Sequence, residues 1–423
     1  MFENIIGQKS TIDALTRQLL NRTMPKTLIL HGPEYAGKLT TALELARALT
    51  CRETAKWNCS CRSCSLNREL LHPSVQLVGS RYFAQEIVTS AETVKRSDTA
   101  ASAFLFIRAV RKLLRRLDTV QWENEEKRIQ KALEHLSETE DALEPFVHTL
   151  REGHTIADPE ARATATDRVV KAALKTIASL PGELVPVAVI RNLQSWVHNT
   201  TDEPRIIIIE NVDRLGEASR NALLKVLEEP PAESYFVLTT ARVGAVIATI
   251  RSRARSYALH ERTRQETDSV IHRIFKGPEF STGGIREWFL EHEYPGTGSL
   301  RSHAEYFITQ VLDPDAHRSE PAAHEQVKAA LEGVPEREGY RHFLQELLGL
   351  CSSILREEER RQRFALSIQH IEQWKEAIHT HYLRADALNI STALLLESLY
   401  IEMRDVGHGY SQPDGNRKEQ LLR

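Results

Sequence analysis

The chain has 423 residues, 41% of them hydrophobic and 27% charged, with a formal net charge of −3. That length holds two or three domains with their own cores, and the composition is that of a soluble globular protein. No apolar run approaches the roughly 18 residues that span a bilayer, and the first residues lack a basic flank followed by an apolar segment, so a cytoplasmic chain without a membrane partner is expected. A charge this near zero excludes nucleic-acid binding driven by bulk electrostatics; any DNA contact must be local or shared with partners.

The first predicted element is a short buried strand in Met24-Pro-Lys-Thr-Leu-Ile-Leu-His31, followed by a glycine loop and a helix over Thr40 to Leu49, with apolar residues at Ala42, Leu45, Ala46 and Leu49. From Ser80 to about Leu184 the strand signal gives way to helix. Phe104, Ile107, Val110, Leu114 and Leu117 form one apolar stripe, and Ile129, Leu133, Leu136, Leu143, Val147 and Leu150 another. The phase breaks at Gln121 to Glu126, which predicts a helical hairpin there in preference to one stuttering helix. The basic face Arg108, Arg111, Lys112, Arg115 and Arg116 can lie against DNA, against the acidic run Glu123 to Glu126, or in solvent; solvent is the expectation.

Arg205-Ile-Ile-Ile-Ile-Glu210 is a second buried strand, followed by a helix over Ser219 to Glu229, a Pro230-Pro231 stop, and a third strand over Tyr235 to Thr240. Strands alternating with helices predict an α/β fold with a parallel sheet covered on both faces. Gly283-Gly284 and Pro295-Gly296 break the helical pattern that follows, and amphipathic helices are predicted over Tyr340 to Glu358, Arg363 to Thr380 and Leu388 to Arg404. The expected division is an α/β domain over 1–260, with a cysteine insert at 51–64 and a helical insertion at about 84–184. A small helical domain over 261–312, a linker over 313–338, an all-helical domain over 339–406 and a polar tail over 407–423 complete it.

Gly32-Pro-Glu-Tyr-Ala-Gly37-Lys38-Leu39-Thr40 matches a phosphate-binding loop in all but one part. Its glycines let backbone N–H groups close round phosphates and Lys38 reaches the terminal ones, but the hydroxyl that should follow the lysine and hold Mg²⁺ is replaced by Leu39. Thr40 points about 100° away on a helix of 3.6 residues per turn. At the end of the second strand, Glu210 is followed by Asn211, which has no basic oxygen to polarise water, where a hydrolysing ATPase carries Asp then Glu. The two losses strike the same reaction, so a site that touches nucleotide weakly or not at all, and does not hydrolyse it, is expected.

Cys51, Cys59, Cys61 and Cys64 place four thiols within fourteen residues, which suits a closed tetrahedral zinc cage; exposed free thiols are the alternative. Arg251, Arg253 and Arg255 read either as a solvated basic face or as an edge from which an arginine reaches a neighbouring subunit's nucleotide.

These residues have a familiar order. Phe2-Glu-Asn-Ile-Ile-Gly-Gln8, the altered phosphate loop, the four-cysteine insert ending in His72-Pro73, Asn221-Ala-Leu-Leu-Lys-Val-Leu-Glu-Glu-Pro-Pro231 and Ser252-Arg253 together resemble the bacterial DNA polymerase III clamp-loader subunits of the AAA+ class. The resemblance covers roughly residues 1 to 80 and 185 to 260, leaving the helical insertion outside it. It implies an AAA+ sheet, a helical lid domain and a helical collar domain. Because Leu39 and Asn211 depart from the ATP-hydrolysing gamma/tau pattern, it implies the delta-prime type, a stator in a complex with gamma/tau and delta subunits. That complex loads the sliding clamp onto primer-template DNA. By the same resemblance Arg253 is an arginine finger acting in trans, with Ala254 in place of the family's cysteine, and Thr240 falls on the sensor-one position. Gly298-Ser-Leu-Arg301 is similar to the second sensor. The competing readings are a gamma/tau-like ATPase that uses Thr40 for the metal, and a scaffold that works through its helical insertion.

Overall fold

The computed structural model describes residues 1–79, 83–181, 185–199, 203–275, 285, 300–313, 323–331, 336–356, 358, 366–387 and 391–407. The chain divides into two compact units, Met1–His292 and Glu293–Arg423.

The first unit is built on five parallel strands. Helix α1 (Lys9–Leu20) precedes β1 (Thr27–His31), α2 (Lys38–Thr50), α3 (Arg62–Arg68) and β2 (Val75–Gly79). The insertion follows as α4 (Phe83–Arg96), α5 (Ala100–Leu114), α6 (Glu126–Arg151) and α7 (Pro159–Ala178). The chain then returns to the sheet through α8 (Val187–His198), β3 (Arg205–Glu210), α9 (Glu217–Glu228), β4 (Ser234–Thr240), α10 (Ala248–Arg253) and β5 (Arg255–Ala258), and α11 (Arg264–Val270) comes after it. Sheet order is β2-β3-β4-β1-β5. The four isoleucines of β3 explain its central place: Ile206 and Ile208 join the core with α1 and α2, whereas Ile207 and Ile209 join the core with α8 and α9. A strand buried on both faces needs no polar alternation.

Two strands escaped the sequence reading. Val75-Gln-Leu-Val-Gly79 follows the cysteine insert and pairs with β3, Val75 opposite Ile206; β5 pairs with β1, Leu28 opposite Arg255. Both are short and lie at the edges of the sheet, and β5 carries exposed Arg255 and Ser256. They lack the apolar run that marks a central strand.

The insertion has its own core, made by Phe83, Ile87, Phe106, Val110, Leu143, Phe146 and Val169 among others. The Phe106 and Phe146 rings meet edge to face at 5.3 Å. The chain does turn between Leu117 and Glu126, and Asn124 takes the left-handed conformation (φ 63°) that a glycine would otherwise supply.

The basic face at the end of α5 and in the turn just after it contradicts the expectation of solvent, and also the two alternatives beside it. Arg111, 8% exposed, donates through Nη1 to Glu69 O at 3.0 Å and lies 3.1 Å from Glu69 Oε2. Arg108 donates to Arg68 O, Arg115 to Val75 O, and Lys112 pairs with Glu86. Gln121 Nε2 donates to Leu77 O at 3.1 Å. The row faces inward because an edge strand and a helix C-terminus both present unpaired carbonyls, and arginine satisfies them while burying its stem.

In the second unit, α12 (Leu300–Leu312), α13 (Ala323–Ala330), α14 (Glu336–Arg356), α15 (Ile368–Ala387) and α16 (Thr392–Gly407) share one core that includes Phe307, Phe343, Trp374 and Leu399. Two expected boundaries change. Leu300–Leu312, expected in the small helical domain over 261–312, packs into the core that the helices of the second unit share. Ala323–Ala330, placed in the linker, is a helix with Ala323 and Val327 buried in that same core. Gly283-Gly284, Pro295-Gly296, Gly298-Ser299 and the tail beyond Gly407 lie outside the described residues. Among the described residues, no helix is long and apolar enough to cross a membrane.

Candidate functional site

The phosphate loop joins the C-terminal end of β1 to the N-terminus of α2. Gly32 has φ 149°, and a Cβ there would lie 2.0 Å from Leu259 O of the segment after β5; Gly37 has φ 95°. Both positions require glycine. Lys38 turns back on the loop, donating to Gly32 O at 2.8 Å and to Pro33 O. Burial lowers its pKa to about 8, against the attraction of Glu34, Asp213 and Glu210.

Leu39 is 9% exposed and packed in the core beneath the sheet, while Thr40 is exposed. The side chain that would hold a metal is therefore an apolar core residue, and the nearest hydroxyl on the helix faces water. Thr41 Oγ1 spends its proton on Gly37 O at 3.0 Å.

Two groups that the sequence reading missed converge here. Arg262, four residues past β5, donates to Tyr35 O of the loop and to Ile6 O at 3.4 Å, and its Nη2 would lie 2.7 Å from a Cβ at Gly37. Burial lowers its pKa, and its charge depresses that of Lys38. Asp213, 3% exposed at its side chain, accepts from Thr240 Oγ1 at 2.7 Å and pairs with Arg242 at 3.1 Å. The only sequence signal for Asp213 was its position three residues past Glu210. Thr240 is fully buried, Glu210 is 7% exposed, and Asn211 is held in the left-handed region (φ 51°). From the insertion, Arg116 is also buried; burial lowers its pKa to about 10, with the attraction of Glu210 working against it.

The four cysteines come together. Their sulfur atoms all lie within 4.8 Å of one another, Cys51 Sγ being 3.8 Å from Cys59 and 3.9 Å from Cys61. Four thiolates about 2.3 Å from a tetrahedral zinc are separated by about 3.8 Å, so the donor set fits that metal. The tight Cys59-Ser60-Cys61 step does not exclude either sulfur. The N–H groups of Glu53 and Ala55 point at Cys51 Sγ (3.4 and 3.2 Å), and that of Cys64 at Cys61 Sγ at 3.4 Å, contacts that orient both sulfurs; burial raises the Cys51 pKa against the pull of its two N–H groups. Cys59 is brought down to about 7, chiefly by the Cys61 backbone N–H, whereas burial pushes Cys64 up. Arg47 of α2, 1% exposed, donates to Cys64 Sγ at 3.4 Å, to Ala55 O at 3.1 Å and to Met1 O at 2.6 Å. It ties the cysteine module to the helix that carries the phosphate loop.

At the other end of the sheet, α10 ends in Arg253. Its Nη1 donates to Thr249 O at 3.0 Å and its Nη2 lies 2.7 Å from Glu228 Oε1, at the end of α9. Arg251, Arg253 and Arg255 are all exposed.

Residues 7–135 and 152–263 match the family model described as DNA polymerase III, delta subunit. The chain belongs to that family. The match takes in much of the helical insertion, which the resemblance read from the sequence had left outside. The chain is 33% identical over 78 residues to the DNA polymerase III subunit delta' of Buchnera aphidicola subsp. Baizongia pistaciae (18% of this chain, 23% of that protein) and 44% identical over 55 residues to that of Escherichia coli (13% and 16%). It is 34% identical over 152 residues to the subunit gamma of Buchnera aphidicola subsp. Schizaphis graminum (35% and 39%). The alignments thus span well under half of each of these relatives. A solved gamma subunit-related protein of Thermotoga maritima overlaps 53% of this chain and 81% of its own at 17% identity, with a TM-score of 0.29. At that score it adds nothing to the fold, which rests on the parallel sheet and its phosphate loop.

Proposed function

We propose that this family member is a delta-prime-type subunit of the DNA polymerase III clamp loader, a stator that does not itself hydrolyse ATP. The observation that carries this reading is Leu39, buried at the place of the metal-binding hydroxyl while Thr40 faces solvent. Asn211 after Glu210 removes the water-polarising acid, and Lys38 spends donors on the loop's own carbonyls. Nucleotide binding at Gly32, Gly37, Lys38, Thr40 and Thr240 is accordingly weak or absent.

In this scheme Arg253 serves the nucleotide of an adjacent gamma/tau subunit, where a guanidinium stabilises charge in the phosphoryl-transfer transition state. Cys51, Cys59, Cys61 and Cys64 hold one structural zinc. Gamma/tau and delta subunits are the direct partners, and the sliding clamp and primer-template DNA are met through the complex.

The test is to co-purify the chain with its loader partners and measure ATP binding and hydrolysis subunit by subunit. Absence of turnover by the isolated chain, with normal turnover in the complex, is expected. Turnover by the isolated chain comparable to that of the complex would establish the gamma/tau-type reading instead.

A further inference from the structure

The arginines of the insertion that failed to face solvent meet the cysteine module at one place. Helix α3 carries Cys64, is N-capped by Cys61, and through Arg68 holds Trp57 O and Cys59 O. Three of the four cysteines therefore depend on where α3 lies. The C-terminus of this short helix presents carbonyls that no further turn can satisfy. Arg108 and Arg111 of α5 supply donors to two of them, at Arg68 O and Glu69 O, and Arg111 and Arg151 both pair with the Glu69 carboxylate, at 3.1 and 3.4 Å. Arg111 is buried, and burial presses its pKa down against the pull of Glu69. A cation held in that setting is strongly oriented, and its loss leaves Glu69 O without its donor and the Glu69 carboxylate with Arg151 alone.

We propose that the helical insertion is a clamp on the metal module: Arg108 and Arg111 are positioning residues that fix α3 against α2 and so hold the thiolate cage closed. This rests on the zinc reading of the four cysteines. The cage opens only if α3 moves away from Arg47 and Cys51, and the arginines resist that movement at the end of α3 farthest from its first turn. The insertion then contributes to metal retention without contacting the metal.

The test is the rate at which zinc passes from the full-length chain to a chromophoric chelator, well below the unfolding temperature. Wild type is compared with Arg108→Ala/Arg111→Ala, with Arg111→Lys, and with Val169→Ala, which hollows the insertion core away from α3. The clamp predicts release at least tenfold faster in the double variant and partial rescue by lysine, which keeps the charge but loses the forked geometry. Val169→Ala is expected to lower thermal stability while leaving release unchanged. Unchanged release in the double variant, or equal acceleration by Val169→Ala, overturns the clamp while the zinc reading stands. Purified wild type without zinc overturns both.

Discussion

Arg253 Nη2 lies 2.7 Å from Glu228 Oε1, so the arginine proposed to serve a neighbouring subunit is held, in the isolated chain, by the acid that closes α9. The pair is solvent-exposed, and such pairs contribute about 0–1 kcal/mol. It can orient Arg253 without obstructing its transfer to a phosphate. Arg253→Ala is therefore expected to leave this chain's unfolding midpoint essentially unchanged. Loss of an arginine finger costs about 10³-fold or more at the one active site it serves, and turnover of the reconstituted loader should fall accordingly. Loader turnover equal to wild type removes Arg253 from that role.

The loop's two glycines should not be equivalent. A Cβ at Gly32 meets the Leu259 backbone carbonyl at 2.0 Å, whereas one at Gly37 meets Nη2 of the Arg262 side chain, not backbone, at 2.7 Å. Gly32→Ala is expected to destabilise the first unit by about 2 kcal/mol or more, with Gly37→Ala costing less, since only the backbone strain of a positive φ remains once Arg262 moves. Urea unfolding of the two variants measures the order, and the reverse order contradicts the contact geometry.

Lys38 links stability to pH in a defined direction. Its pKa is about 8 in the folded chain against an ordinary value of 10.5. Between those values the unfolded chain binds more protons, so this group makes stability rise as pH increases from about 8 towards 10.5. Tyr235 and Tyr257, raised by burial, work in the opposite sense at the upper end. The difference between wild type and Lys38→Met isolates the lysine. The variant is expected to be relatively more stable at pH 7 than at pH 10, by denaturant titration at both. A difference independent of pH excludes the buried charge.

Metal analysis should return one zinc per chain. Removing it with a strong chelator, or substituting Cys64→Ala, is expected to lower the melting temperature and to expose the segment from Cys51 to Leu70 to protease, because metal-binding free energy at a structural site is folding free energy. A chain that keeps its melting temperature after chelation has no structural metal there.

The sequence by itself determined the central strands, the phosphate loop and its missing hydroxyl, the cysteine cluster and the family. Each is a local signal: an unbroken run of β-branched residues, a fixed spacing of glycine and lysine, four thiols within fourteen residues. Leu39 and Thr40 were legible too, because one step along a helix decides which of them meets water. Only the tertiary structure decided where Arg108, Arg111 and Arg115 go. Their spacing is that of a solvated face, and nothing local distinguishes it from one that meets the carbonyls of a distant strand edge and helix end. The same holds for Arg262 and Asp213, brought to the loop from segments far along the chain, and for Ala323–Ala330, which lies among prolines in sequence yet is buried among other helices. Spacing along the chain reports which residues share a face. What that face meets is set by packing between segments far apart in sequence, where burial and unpaired carbonyls outweigh local propensity.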